Sequence, residues 1–294
     1  MDASTSPATP DAILSTVSPS KLELWNKCQY QWYRRYVLGE RKPPRAAAAF
    51  GKGIDAGANT YYREKLVKKE PDEHHTRELW AEHVAQSVAE VQEWPADETP
   101  AAMVSEATRL APAWRKQIAT RVEPLMIQRE FDLMFQESCP DKPGVPHKHG
   151  DAWRMNGVVD LIGTVLSDCG FATEVATIDL KTAGRSWSEK EAVQGMQAPA
   201  YVFAVRRGLQ LQTSLFQYHV LVRTKEPKVQ VLERVVDEAE LAGYARRASR
   251  ARMQIANAIE TNIFLPNRTH TLCSQRWCAW WRECQAEFGG IIPV

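Results

Sequence analysis

After Pro124 the chain changes character. Four stretches, Met126 to Phe135, Trp153 to Val165, Ala172 to Lys181 and Ser214 to Arg223, are rich in Val, Ile, Phe and Leu and have the length of β-strands. A helical segment, Ser188 to Arg207, separates the third from the fourth, and another runs from about Glu238 to Ile259. Strands interleaved with helices bury their apolar faces as a sheet with helices packed on it, so this pattern predicts an α/β fold. Two of the strands carry carboxylates. Asp160 lies in Gly157-Val-Val-Asp160-Leu-Ile-Gly163 and Asp179 in Thr177-Ile-Asp179-Leu-Lys181-Thr182. An ionised carboxylate inside an apolar strand is costly to bury without a partner. Lys181, two residues beyond Asp179, projects to the same face of its strand.

The part of the chain before Pro124 is mostly helical. From Ser18-Pro-Ser20 onward, Leu22, Trp25, Cys28, Trp32 and Tyr36 follow the spacing of a helix with one buried face, which Pro43 and Pro44 end. A second helix is expected from about Ala46 to Lys69, and further helices over Glu73 to Ile118, with Pro95, Pro100 and Pro112 marking interruptions. Residues 1 to 17, small, polar and Pro-containing, are expected to be a disordered tail. A length of 294 residues suits one large domain. The first residues lack the basic and apolar regions of a secretion signal, and no apolar run is long enough to span a bilayer, so the expected location is cytoplasmic.

A formal net charge of +1 excludes any argument for a nucleic-acid partner from bulk charge; a DNA surface would be a local basic patch. Arg34, Arg35, Arg41, Lys42 and Arg45, then Arg206 and Arg207, then Arg246, Arg247, Arg250 and Arg252 could contact phosphates, although any single cluster reads more readily as a solvated helix face.

Phosphodiester hydrolysis uses carboxylates to hold one or two divalent ions, which activate water and neutralise the scissile phosphate. Asp160 and Asp179 suit that role, and Mg²⁺ or Mn²⁺ suits a site of carboxylate and water oxygens. A lysine beside the attacking water orients it and stabilises developing charge, which is the role expected of Lys181. Taken singly, each motif reads as readily as a hairpin aspartate or a same-face surface ion pair.

Together, in this order and spacing, they resemble the D-(x)n-(D/E)-x-K signature of the PD-(D/E)XK nuclease superfamily, and specifically its RecB-like branch, which includes CRISPR-associated exonucleases. The resemblance covers Ser18 to Phe288. It implies an α/β restriction-endonuclease-like core sheet flanked by helices, with a helical N-terminal part and a C-terminal cysteine cluster, in a single domain over residues 18–294. It further implies a Mg²⁺- or Mn²⁺-dependent DNA nuclease, an exonuclease of DNA processing, recombination or repair. Its substrate would be single-stranded DNA or DNA with free ends, and protein partners in a repair or recombination complex are compatible with it. Gln197 and Tyr201, at i and i+4, match the branch's Gln-x-x-x-Tyr pair on the helix after the catalytic strand. Glu130, in Gln128-Arg-Glu130-Phe, matches a glutamate of its first strand, or is an ordinary exposed charge. In Phe50-Gly51-Lys52-Gly53-Ile54-Asp55, Asp55 stands where the branch carries a metal-binding histidine. That replacement keeps an oxygen ligand, and it opens an alternative: a weak or inactive DNA-binding or complex-forming subunit that retains the nuclease fold.

Three of the six cysteines form a Cys273-x4-Cys278-x5-Cys284 run. In a reducing compartment such density points to metal rather than disulfides, and the other reading is of small buried hydrophobes. Three thiolates need a fourth, and Cys28 resembles the N-terminal cysteine that completes the Fe–S site of RecB-like nucleases. Four thiolates suit a 4Fe-4S cluster or, alternatively, zinc, and either would join the N- and C-terminal segments. Cys139 and Cys169 fall outside this pattern.

Overall fold

Side-chain caps start the helices where their orphan amides need acceptors. Ser18 accepts from the Lys21 amide, Asp72 from His75 and Thr99 from Ala102, with Pro19 and Pro100 in the first helical turn where no N–H is required. The computed structural model describes residues 9–135, 152–167 and 170–289. In chain order the elements are α1 (Pro10–Ser15), β1 (Thr16–Val17), α2 (Pro19–Lys27), α3 (Gln29–Tyr36), α4 (Ala46–Leu66), α5 (Glu73–Val88) and α6 (Pro100–Gln117). Then follow β2 (Val122–Phe135), β3 (Trp153–Leu166), β4 (Ala172–Ala183), α7 (Glu189–Gln194), α8 (Gln197–Gly208), β5 (Leu215–Val222), β6 (Lys228–Val235), α9 (Glu238–Thr261) and α10 (Trp281–Phe288).

These residues fall into two compact units. One comprises the described parts of Met1–Lys42, Asp132–Gly157 and Ala239–Val294, the other Pro43–Phe131 and Val158–Glu238. The second unit is a mixed sheet with helical cover. β3 pairs antiparallel with β4, β4 parallel with β5, and β5 antiparallel with β6. Every residue of β5 is buried, as a strand covered on both faces must be, whereas β6 is largely exposed. On one sheet face Leu161, Ile178 and Leu221 join Phe50, Ile54, Trp80 and Trp114 in a single apolar core. Helix α4 lies close against α5: a Cβ on Gly53 would come 2.6 Å from Val84 Cα, so only glycine permits this approach.

In the first unit β1 runs parallel to the beginning of β3, with Thr16 opposite Arg154 and Val17 opposite Met155. Helix α9 is anchored there by Tyr244, whose hydroxyl lies 3.2 Å from Met155 Sδ, and by buried Arg252, which donates to Leu14 O at 3.0 Å.

Several expectations from the sequence need correcting. Residues 10–17 form α1 and β1 rather than disordered tail; residues 1–8 lie outside the described residues. The helix expected over Ser188 to Arg207 is two helices parted at Gly195, whose backbone is extended. Pro199 falls in the first turn of α8, where its missing N–H is no loss, so a helix start at Gln197 accommodates it. Pro112 does not interrupt α6. It leaves the Thr108 carbonyl without its helical partner, and Arg77 Nη1 donates to that oxygen at 2.9 Å. Strand β6 was not anticipated. Among the described residues no helix is long and apolar enough to cross a membrane.

Candidate active site

The site lies wholly in the second unit and is set by strand register. The β3/β4 ladder begins at Leu161 opposite Ile178, so Asp160 and Asp179 are the residues at its end, and their carboxyls are close enough to raise the Asp160 pKa. Asp179 is fully buried on the central part of the sheet, beside Tyr218 of β5. Lys181 Nζ lies 2.9 Å from Asp179 Oδ1 and 2.7 Å from Oδ2. Gln197, the first residue of α8, donates from Nε2 to Oδ1 at 2.6 Å. Although close to Lys181, Asp179 Oδ2 receives no hydrogen bond of proper angle and is buried, an oxygen with capacity for a cation.

Helix α4 brings Asp55 to the same charges. Asn59, one turn on, donates to Asp55 Oδ2 at 3.1 Å, and Asp55 lines one narrow pocket with Asp160 and His219. Burial, then the Asp179 charge, pushes the Asp55 carboxyl up to about 6 against the opposing pull of Lys181. Burial pushes Asp160 well above the carboxylate range too, reinforced by Asp55 and Asp179. Three carboxylates thus crowd one lysine, and a divalent cation would relieve that excess of negative charge.

The donor set, hard oxygens with one buried oxygen unsatisfied, fits Mg²⁺ or Mn²⁺ chemically. Even so, among the described residues no group of three or more His, Cys, Asp or Glu side chains is arranged to hold a metal ion. The carboxylates converge without forming a closed shell, Asp179 being engaged by Lys181 and Gln197.

Of the other anticipated residues, Tyr201 lies one turn beyond Gln197 and packs its ring 6.3 Å from Phe216. Glu130 is exposed on β2. The hydrogen bond from that strand to the site comes from Gln128, whose Nε2 donates to Asp160 Oδ1 at 3.2 Å. A glutamine within a strand carries no sequence signal of such a role, and Gln128 was missed. Many of the basic candidates are already paired: Arg34 with Glu40, Lys42 with Glu283, Arg45 with Glu93, and Arg206 and Arg207 with Glu238.

The four cysteines gather in the first unit. Cys28, at the junction of α2 and α3, lines one pocket with Cys273, Cys278 and Cys284, and none of the four is in a disulfide. Burial pushes the Cys284 thiol up to about 11, helped by Cys28, Cys278 and Cys273, and raises Cys273 and Cys278 also. Gln31 Nε2 donates to Cys278 Sγ at 3.2 Å. Around them Trp280 Nε1 donates to Glu40 at 2.8 Å and Tyr30 OH to Glu287 at 2.7 Å, fastening the C-terminal segment to α3 and the loop after it. Four thiols suit an iron–sulfur cluster or zinc in chemistry, but they too fall short of a ligand shell. Cys139 and Cys169 lie outside the described residues.

No curated protein matches the chain. A crystal structure from Eubacterium rectale, of a protein provisionally named an exonuclease, superposes with a TM-score of 0.51 over 94% of this chain and 90% of its own, at 10% identity. The protein SSO0001 aligns over 91% of this chain and 95% of its own at 12% identity, with a TM-score of 0.32, too low to argue from. The profile of the PD-(D/E)XK nuclease superfamily matches residues 16–285, nearly the whole chain. With that match over the strands that bear Asp160, Asp179 and Lys181, the chain belongs to the PD-(D/E)XK nuclease superfamily.

Proposed function

We propose that the chain is a Mg²⁺- or Mn²⁺-dependent deoxyribonuclease of the RecB-like branch, an exonuclease of DNA processing, recombination or repair. The observation that carries this reading is the convergence of the Asp55, Asp160 and Asp179 carboxyls at the end of the β3/β4 ladder, with Lys181 and Gln197 both on Asp179. A divalent cation held by Asp55, Asp160 and Asp179 would supply activated water and neutralise phosphate charge. Gln197 fixes Asp179 through Oδ1, while Oδ2, 2.7 Å from Lys181 Nζ, accepts no hydrogen bond. The Lys181 ammonium has three protons and is about one-third exposed, so it can stay on Asp179 while donating to a phosphate oxygen or the attacking water. Tyr201 and Phe216 stiffen the start of α8 behind Gln197. Anaerobically purified protein supplied with Mn²⁺ is expected to shorten end-labelled DNA, and the absence of cleavage on single and double strands contradicts the reading.

A second reading, a DNA-binding or complex-forming subunit without turnover, is motivated by Asp55 standing where the branch carries a histidine and is favoured by one observation: Lys181 contacts both oxygens of Asp179. It is distinguished by DNA binding without cleavage.

The cysteine site belongs to the same proposal. Convergence of Cys28, Cys273, Cys278 and Cys284 on one pocket supports a 4Fe-4S cluster there. Protein isolated without oxygen is expected to be brown, with about four irons and four sulfides per chain, the stoichiometry of such a cluster. Colourless protein carrying one zinc identifies the alternative, and Cys278→Ser is expected to lose the metal in either case.

A further inference from the structure

Strand β2 reaches the site through a residue in an unusual backbone conformation. Four non-glycine residues among those described have left-handed φ. Lys68, Gln210 and Asn262 each stand just past the end of a helix, α4, α8 and α9, where a left-handed residue is an ordinary stop signal. Gln128, at φ 49°, is the exception: it sits in the middle of a strand. Burial along β2 bears on what it does there. Within the second unit Val122 and Pro124 are buried before it and Phe131 after it, so the buried phase switches from even to odd positions. A β-bulge has this effect: one extra residue shifts the alternation by one and re-aims a side chain.

At Gln128 the re-aimed group is an amide, and it donates to Asp160 Oδ1. The contact has two counterparts. Asn59 donates to Asp55 Oδ2 and Gln197 to Asp179 Oδ1, so each of the three carboxylates receives one side-chain amide on one oxygen. A neutral amide orients a carboxylate without adding a positive charge that would compete with a cation. Strained backbone persists where the surrounding structure demands it, and such strain concentrates at functional sites.

We infer that Gln128 is a positioning residue for the metal ligand Asp160, and that the β2 bulge exists to place its amide there. The inference rests on the metal-dependent reading above. Partners that orient a ligand typically cost 10–100-fold in metal affinity when removed. Calorimetric titration of the full chain with Mn²⁺ is therefore expected to show binding weakened about tenfold or more in both Gln128→Ala and Gln128→Gly. The two variants lack the same amide and differ only at Cβ. Glycine adopts left-handed φ without cost, so Gln128→Gly is expected to melt about 2 °C or more above Gln128→Ala. Asp160→Ala is the reference and is expected to abolish the binding. If it does so while both Gln128 variants bind Mn²⁺ like the wild type, the positioning role is overturned and the metal site stands. If Asp160→Ala itself binds like the wild type, the metal reading fails and the role of Gln128 fails with it. Equal melting of the two Gln128 variants overturns the strained bulge.

Discussion

Asp179→Asn is expected to lower DNA cleavage by about 10³-fold or more while leaving the protein folded, because it removes charge and almost no volume from a site whose chemistry depends on charge. Asp179 is fully buried, and the side chains that hold it are already in place: Lys181 on both oxygens and Gln197 on Oδ1. Asparagine fills the same space and can keep an oxygen toward these donors. What it loses is one of three carboxylates crowding a single lysine, so the carboxyls of Asp55 and Asp160, both held high partly by Asp179, are expected to shift downward. A thermal melt near that of the wild type, together with lost cleavage, separates this outcome from unfolding. Cleavage within tenfold of the wild type removes Asp179 from the catalytic machinery.

The parts of this site that were legible in the sequence are those fixed by strand periodicity. Two residues apart on a strand means one face, so Asp179 and Lys181 could be placed side by side from spacing alone. Gln197 and Tyr201 were singled out only through the family resemblance, and the structure sets Gln197 directly on Asp179. What spacing cannot supply is an irregularity in the backbone. The bulge at Gln128 decides which β2 side chain reaches Asp160, and nothing in Ile127-Gln128-Arg129-Glu130 announces a left-handed residue. Pro199, best placed in a helix's first turn, hinted at the break at Gly195, but apolar periodicity across the segment hid it. Arg77 hid the opposite case by satisfying the carbonyl that Pro112 strands within α6. The convergence of Cys28 on three cysteines some 245–256 positions later in the chain was available only through family resemblance, because a four-ligand set of that separation has no local signature.

Acid is expected to destabilise the protein through His219. It lies fully buried on β5, its Nε2 donating to Gln217 Oε1 at 3.0 Å while Gln217 Nε2 donates to Glu233 at 2.8 Å. Burial drops its pKa to about 3 from an ordinary 6.5. The folded value lies below the unfolded one, so the unfolded chain takes up a proton first. Stability from this group is full above pH 6.5 and declines as pH falls from there towards 3. Two pH units of that window correspond to about 3 kcal/mol. The Asp55 carboxyl, raised to about 6, works in the other direction: its contribution is full below the ordinary carboxylate range and is lost as pH rises through 6. His219→Leu isolates the histidine. In urea titrations the stability of wild type minus that of the variant is expected to shrink by about 3 kcal/mol between pH 7 and pH 4.5. Two curves that run parallel over this range would mean that His219 is not held neutral by burial.

Lys181 gives the most direct test of a metal-dependent DNA nuclease centred on the Asp160–Asp179 pair, because it alone in the trio is an acid rather than a ligand. The measurement is cleavage of 5′- and 3′-labelled single strands by anaerobically purified wild type and Lys181→Ala in Mn²⁺, with DNA affinity measured alongside. Wild-type protein is predicted to shorten the strands from an end, and Lys181→Ala to do so about 10²–10³-fold more slowly at similar affinity, the loss typical of one group that stabilises developing charge. Wild type that leaves both strands intact, or a variant that cleaves as fast as wild type, would contradict the account.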